Sequence, residues 1–125
     1  MTNILVVDDE HDVQYLFKQY FRRQVKKGEI TFHFALSAED ALEKLTHIAT
    51  DLMLVLSDIN MPGMTGLELL RIVKARFPRL RVVMITAYND NDNRETALAH
   101  GADGYLTKPI DFLELQQTFA QFKVL

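Results

Sequence analysis

Six side chains scattered along this sequence are of types that hold a hard cation and handle phosphate when they meet. Asp8, Asp9 and Glu10 follow the apolar run ILVV, Asp58 follows LMLVLS, Thr86 follows VVMI, and Lys108 stands directly before Pro109. Carboxylates gathered at one point repel one another, so they require a cation or accept raised pKa values. A single lysine compensates part of that charge. A divalent ion with oxygen ligands completes it, and Mg²⁺ suits the role because it keeps some waters and bridges to phosphate oxygens.

Each of these residues also has an ordinary explanation. Asp8, Asp9, Glu10 and Asp12 serve equally well as caps and dipole partners of a first helix. Asp58 can open a turn ahead of Pro62-Gly63. Thr86 is a β-branched residue in a strand, Lys108 a surface lysine, and Tyr105 a half-buried strand aromatic. The chemical reading depends on whether the fold carries them to one place.

The elements between them suggest that it does. Ile4–Val7, Ile30–Leu36, Leu52–Leu56, Arg81–Thr86 and Gly104–Thr107 read as strands, the first as one buried on both faces. Helical spacing joins Val13, Leu16, Phe17, Tyr20 and Phe21, with Gly28 as the stop. Ser37 with Asp40 resembles a capping box ahead of Ala41, Leu42 and Leu45. A third helix sets Leu67, Leu70, Val73 and Phe77 on one side and ends before Pro78. The turn-prone NDNDN, residues 89–93, offers N-caps to a fourth helix near Glu95–His100 that is poor in large apolar residues, with Gly101 as its stop. Phe112, Leu115, Phe119 and Phe122 form the stripe of a fifth. Alternating strands and helices predict an α/β fold, a doubly wound five-stranded parallel sheet with helices on both faces. Its working site lies beyond the carboxyl ends of the strands. All six residues fall at such ends, and that coincidence outweighs the ordinary explanations.

Composition agrees with one domain over residues 1–125: 48% hydrophobic and 25% charged residues are typical of a packed globular chain. The chain has no cysteine, hence neither disulfides nor thiolate metal sites. No apolar run is long enough to span a bilayer, and the start, MTNILVV, lacks signal-peptide features, so a cytoplasmic location without membrane contact is expected. A formal net charge of -3 leaves no footprint for direct nucleic-acid binding. The one basic cluster, Arg22, Arg23, Lys26 and Lys27, is placed to complement a helix dipole.

The segments ILVVDDE, LSDINMPGMTGLELL, VVMITAY and GADGYLTKPID, in that order, resemble the response-regulator receiver family of two-component signalling over almost the whole chain. The resemblance implies a CheY-like, flavodoxin-like sheet of order 2-1-3-4-5. It implies that Asp58 takes a phosphoryl group from a phosphohistidine on a sensor histidine kinase or phosphotransfer protein, giving an acyl phosphate. Mg²⁺ would be held by Asp58 and Asp9 directly, by Asp8 through water and by the Asn60 backbone carbonyl. Thr86 and Lys108 would contact phosphoryl oxygens, Ala87 would leave the phosphate room, and Pro109 would follow a cis peptide. Asn60 and Tyr88 would tune the lifetime of the acyl phosphate. Thr86 and Tyr105 would carry the change to a face made of the fourth helix, fifth strand and fifth helix, which controls an output domain or partner, or a homodimer. Such a chain catalyses its own phosphorylation and dephosphorylation and is not otherwise an enzyme. Two features depart from the family pattern: His11 stands where proline is frequent, and RRQVKKGEITFHFA is longer than the family minimum.

Three other readings share parts of this pattern. A phosphohydrolase of the haloacid-dehalogenase type also uses a strand-end Asp with Mg²⁺, but position 60 is Asn where its second acid belongs. A mononucleotide-binding module needs glycine and backbone donors after the first strand, and acids stand there instead. A pseudo-receiver would keep the fold without phosphorylation, and metal binding with acyl-phosphate formation separates it from the main reading. The first strand begins almost at Met1, which favours an N-terminal position. No Gly or Asn stop follows Phe122, which favours continuation into an effector domain over a stand-alone receiver.

Overall fold

The computed structural model describes residues 2–87 and 90–124. Five strands alternate with helices: β1 (Thr2–Val7), α1 (His11–Tyr20) with a short helical continuation (Arg22–Lys26), β2 (Ile30–Ala35), α2 (Ala38–Ile48), β3 (Leu52–Asp58), α3 (Gly66–Arg76), β4 (Arg81–Thr86), α4 (Asn91–Ala99), β5 (Gly104–Thr107) and α5 (Phe112–Gln121). All pairings are parallel, in the order β2-β1-β3-β4-β5, so this is the expected doubly wound α/β sheet.

Alternation along each strand divides the core in two. Leu5, Val7, Val55, Val82 and Met84 meet Ala41 and Leu45 of α2 and Leu69, Leu70 and Val73 of α3. Ile4, Val6, Leu54, Leu56, Val83 and Ile85 meet Phe17 and Phe21 and, from α5, Leu115 and Phe119. Phe17, Phe21, Phe32 and Phe112 contact one another edge-on or tilted at centroid spacings of 5.3–6.3 Å.

Four helices open on side-chain caps. Ser37 Oγ accepts from Asp40 N–H at 3.0 Å, Thr65 from Glu68, Asp90 from Asn93, and Asp111 from Leu113 and Glu114. The return half of the box at α2 differs from the usual pattern, because Asp40 Oδ2 accepts from Leu36 N–H at 3.4 Å. Asp is one methylene shorter than Glu, and it reaches a different donor.

The expected first helix is broken at Phe21. Leu16 and Tyr20 are 49% and 43% exposed, outside the core that their spacing suggested. Tyr20 instead stacks on Phe112 at 4.7 Å and donates a hydrogen bond to Gln116 at 3.1 Å, so it serves the contact with α5. In α3, Leu69 is buried while Leu67, and Phe77 just past the helix end, are only partly so. α4 begins earlier than expected, at Asn91, and buries a single apolar side chain, Ala97. Among the described residues, no helix is long and apolar enough to cross a membrane.

Candidate functional site

Three parallel strands end side by side, and their order determines which side chains meet. Asp8 lies one residue past β1, its N–H bonded to Ala35 O at 3.0 Å, while Asp58 closes the adjacent β3. Asp8 and Asp58 are buried and Asp9 is exposed, and carboxylate oxygens of all three lie within 4.8 Å of one another. Lys108, just past β5, reaches over β4 to put its Nζ 2.8 Å from Asp58 Oδ2 and 3.6 Å from Asp8 Oδ2. Its own N–H donates to Thr86 O at 2.8 Å, which fixes the base of the side chain. The Lys108–Pro109 peptide is cis.

Backbone donors hold the two buried acids in place. Glu10 N–H donates to Asp8 Oδ1 at 2.9 Å, and Asn60 N–H donates to Asp58 Oδ1 at 3.2 Å. Asp8 Oδ2 and Thr86 Oγ1, by contrast, are buried without a hydrogen-bond partner among the described residues. Groups so placed are expensive unless something completes them. Burial pushes the Asp8 carboxyl above its ordinary pKa; the Glu10 N–H and the Lys108 charge oppose this, and the charges of Asp58 and Glu10 add to it. Burial also works against the Lys108 ammonium, but its hydrogen bond and attraction to Asp58, aided by Asp8 and Glu10, hold its pKa above the ordinary lysine value.

Asp8, Asp9, Asp58 and Lys108 therefore converge, and Thr86 ends the strand between Asp58 and Lys108. Asn60 is exposed and contributes the N–H to Asp58. Tyr105 pairs in register with Met84 and is half-buried, with the Arg94 guanidinium 4.2 Å from its ring centroid. Tyr88 lies outside the described residues. The hard, all-oxygen donor set, with one buried oxygen unpartnered, suits Mg²⁺.

Gly66 has a structural role at the site that its place in the sequence did not reveal. A Cβ there would sit 2.0 Å from the Asp58 carbonyl oxygen, so only glycine lets α3 pass directly against the backbone of the acidic residue. The available signal was a glycine in the first turn of a strong helix, right after its Thr65 cap.

Comparison with known proteins places this geometry in context. The family model described as "Response regulator receiver domain" matches residues 4–120. The chain is similar to the DNA-binding transcriptional regulator NtrC of Proteus hauseri, at 37% identity over 90% of this chain and 22% of the relative. It is similar to Sporulation initiation phosphotransferase F of Bacillus subtilis (strain 168) at 32% identity, over 95% of this chain and 91% of that one. The crystal structure of a CheY-like receiver domain protein from Methanospirillum hungatei JF-1 superposes with a TM-score of 0.85 at 28% identity, covering 99% and 94% of the two chains. TrrA of Thermotoga maritima, in complex with Mg²⁺-BeF, gives 0.79 at 30% identity and covers 98% and 99%. The chain spans about a fifth of the length of the NtrC relatives, 22% in each case.

Proposed function

This chain belongs to the response regulator receiver family, and on that premise we propose that it is a phosphoacceptor switch whose Asp58 receives a phosphoryl group from a histidine kinase or phosphotransfer protein. The observation that carries this reading is the clustering of Asp8, Asp9 and Asp58 within 4.8 Å around a carboxylate already paired with Lys108.

An Asp58 oxygen attacks phosphorus, the phosphorus–nitrogen bond of the phosphohistidine breaks, and the imidazole leaves as the acyl phosphate forms. Asp9, Asp58 and the Asn60 backbone carbonyl, with Asp8 through water, would hold Mg²⁺, which would neutralise carboxylate and phosphoryl charge when bound. Phosphoryl transfer asks the protein mainly for position and compensating charge. Lys108 supplies charge by exchanging its contact with Asp58 for a phosphoryl oxygen. The buried Thr86 hydroxyl, without a partner in the resting chain, donates to another such oxygen. That charge-assisted bond contributes on the order of 1.5–3 kcal/mol. Taking a two-state equilibrium from 1:99 to 99:1 needs about 5.5 kcal/mol, so Lys108 and a partner supply the remainder. Tyr105 then turns inward and the α4–β5–α5 face changes shape, for an effector domain or partner to read. The NtrC relatives are DNA-binding regulators of greater length, and an effector attached to this chain is part of the proposal. The chain acts on its own acyl phosphate and on no other substrate, and it works in the cytoplasm.

Incubation with Mg²⁺ and acetyl phosphate adds one phosphoryl group that is labile to base and hydroxylamine, and Asp58→Asn abolishes it. Stable modification of Ser57 or Thr65 contradicts the assignment. Ser57 is buried with its hydroxyl donating to Asp58 O, which makes it a poor acceptor.

A further inference from the structure

Arg94 projects from α4 with its guanidinium over the face of the Tyr105 ring, 4.2 Å from the centroid. Its Nε is buried and has no hydrogen-bond partner. An Nε so placed gives up water without a hydrogen bond in return, and attraction of the guanidinium to the ring face is the compensation it finds there. α4 has little other grip, since Ala97 is its buried apolar residue and Leu98 points to solvent at 48% exposure. On the adjacent strand, the Thr86 hydroxyl is buried and unpartnered.

We propose that Arg94 latches Tyr105 in its half-exposed position, so that the strength of this stack sets how far the unphosphorylated chain leans toward its resting state. The inference rests on the reading of Thr86 and Tyr105 as the switch. Turning the ring inward breaks the stack, so the ring and α4 are released in one event. The latch acts on the equilibrium and not on the chemistry, because Arg94 forms no ion pair with Asp8, Asp9 or Asp58. Weakening the resting state tightens the binding of any ligand that prefers the other state.

The test uses the chain with fluorinated tyrosine, in which Tyr105→Phe identifies the Tyr105 signal among the four tyrosines. Spectra are recorded in Mg²⁺ with and without beryllofluoride, a phosphoryl mimic. Arg94→Ala moves the Tyr105 signal, before beryllofluoride is added, toward the position it takes afterwards. It also tightens apparent beryllofluoride affinity by roughly three- to tenfold, the range expected for losing one partly buried cation–ring contact. Arg94→Leu keeps much of the aliphatic packing and does the same, which covers the case in which Arg94→Ala loosens the fold. If beryllofluoride leaves Tyr105 unmoved in the parent chain, the switch reading fails and the latch fails with it. If Tyr105 responds in the parent while both variants keep the parental signal and affinity, the latch alone is wrong.

Discussion

Replacing Asp9 with alanine separates the cost of the acidic cluster from its use. Asp9 lies within 4.8 Å of two other carboxylates, a distance at which one pair of charges repels by roughly 1–3.5 kcal/mol for effective dielectric constants from 80 down to 20. Because Asp9 is exposed and salt screens it, the lower end applies, and attraction to Lys108 offsets part of the sum. Metal-free Asp9→Ala is therefore more stable than the parent by about 1 kcal/mol, which in a chain of this size raises Tm by roughly 3–6 °C. In the parent, Mg²⁺ at ten times its Kd stabilises the fold by about 1.4 kcal/mol, or roughly 4–8 °C. On the proposed ligand set the variant lacks a direct ligand and should respond little. Thermal melts across a MgCl₂ series at constant ionic strength should thus give two curves that cross, the variant above without metal and the parent above at saturation. A parent Tm that ignores Mg²⁺, or equal slopes in the two proteins, would refute the assignment of these carboxylates to a metal.

Thr86→Ala should still be phosphorylated by acetyl phosphate, yet beryllofluoride-induced NMR shifts should stop short of Tyr105; shifts that still reach it remove Thr86 from the coupling. On the role the family resemblance implies for position 88, Tyr88→Ala should lose its acyl phosphate faster than the parent, and a decay series in which the rates agree excludes Tyr88. Gly66→Ala should cost at least the upper end of the about 1–3 kcal/mol typical of overpacking, read by denaturant melts, since its Cβ would meet the Asp58 carbonyl at 2.0 Å. Asp8 has a pKa raised from 3.8, so in metal-free buffer its contribution to stability is complete below 3.8 and is lost as pH rises through the folded value. Asp8→Asn removes that part of the decline, and an unchanged pH profile of stability contradicts the burial argument.

The strands and the acidic cluster were legible in the sequence because β1, β3 and β4 are short apolar runs that give way abruptly to polar residues at the site. The run LMLVLSD both marks β3 and presents Asp58, so the fold and the site share one signal. The first helix was less legible. Periodicity cannot distinguish a core position from one covered by a neighbouring helix, and Tyr20 and Leu16 satisfy the spacing while lying at the margin beside α5 and solvent. Leu69 lies one position beside the stripe of Leu67, Leu70 and Val73, so helical spacing alone does not select it. The roles of Gly66 and Arg94 depend on approaches between separate elements, to Asp58 in one case and to Tyr105 in the other; an unusual glycine after the Thr65 cap hints at the first, and helical or strand periodicity does not reveal the second.

The unequal filling of the two faces gives the molecule a mechanical direction. On one side, interlocked phenyl rings from α1, β2 and α5 leave little room for displacement, since a close-packed interior transmits strain and does not absorb it. α4 buries one apolar side chain, Ala97, and otherwise meets the sheet through the Arg94–Tyr105 stack. In the proposed switch, a push that begins at Thr86 would meet a stiff wall toward the rings and a more compliant one toward α4. In that switch, phenylalanines remote from the acidic cluster would bias movement toward α4.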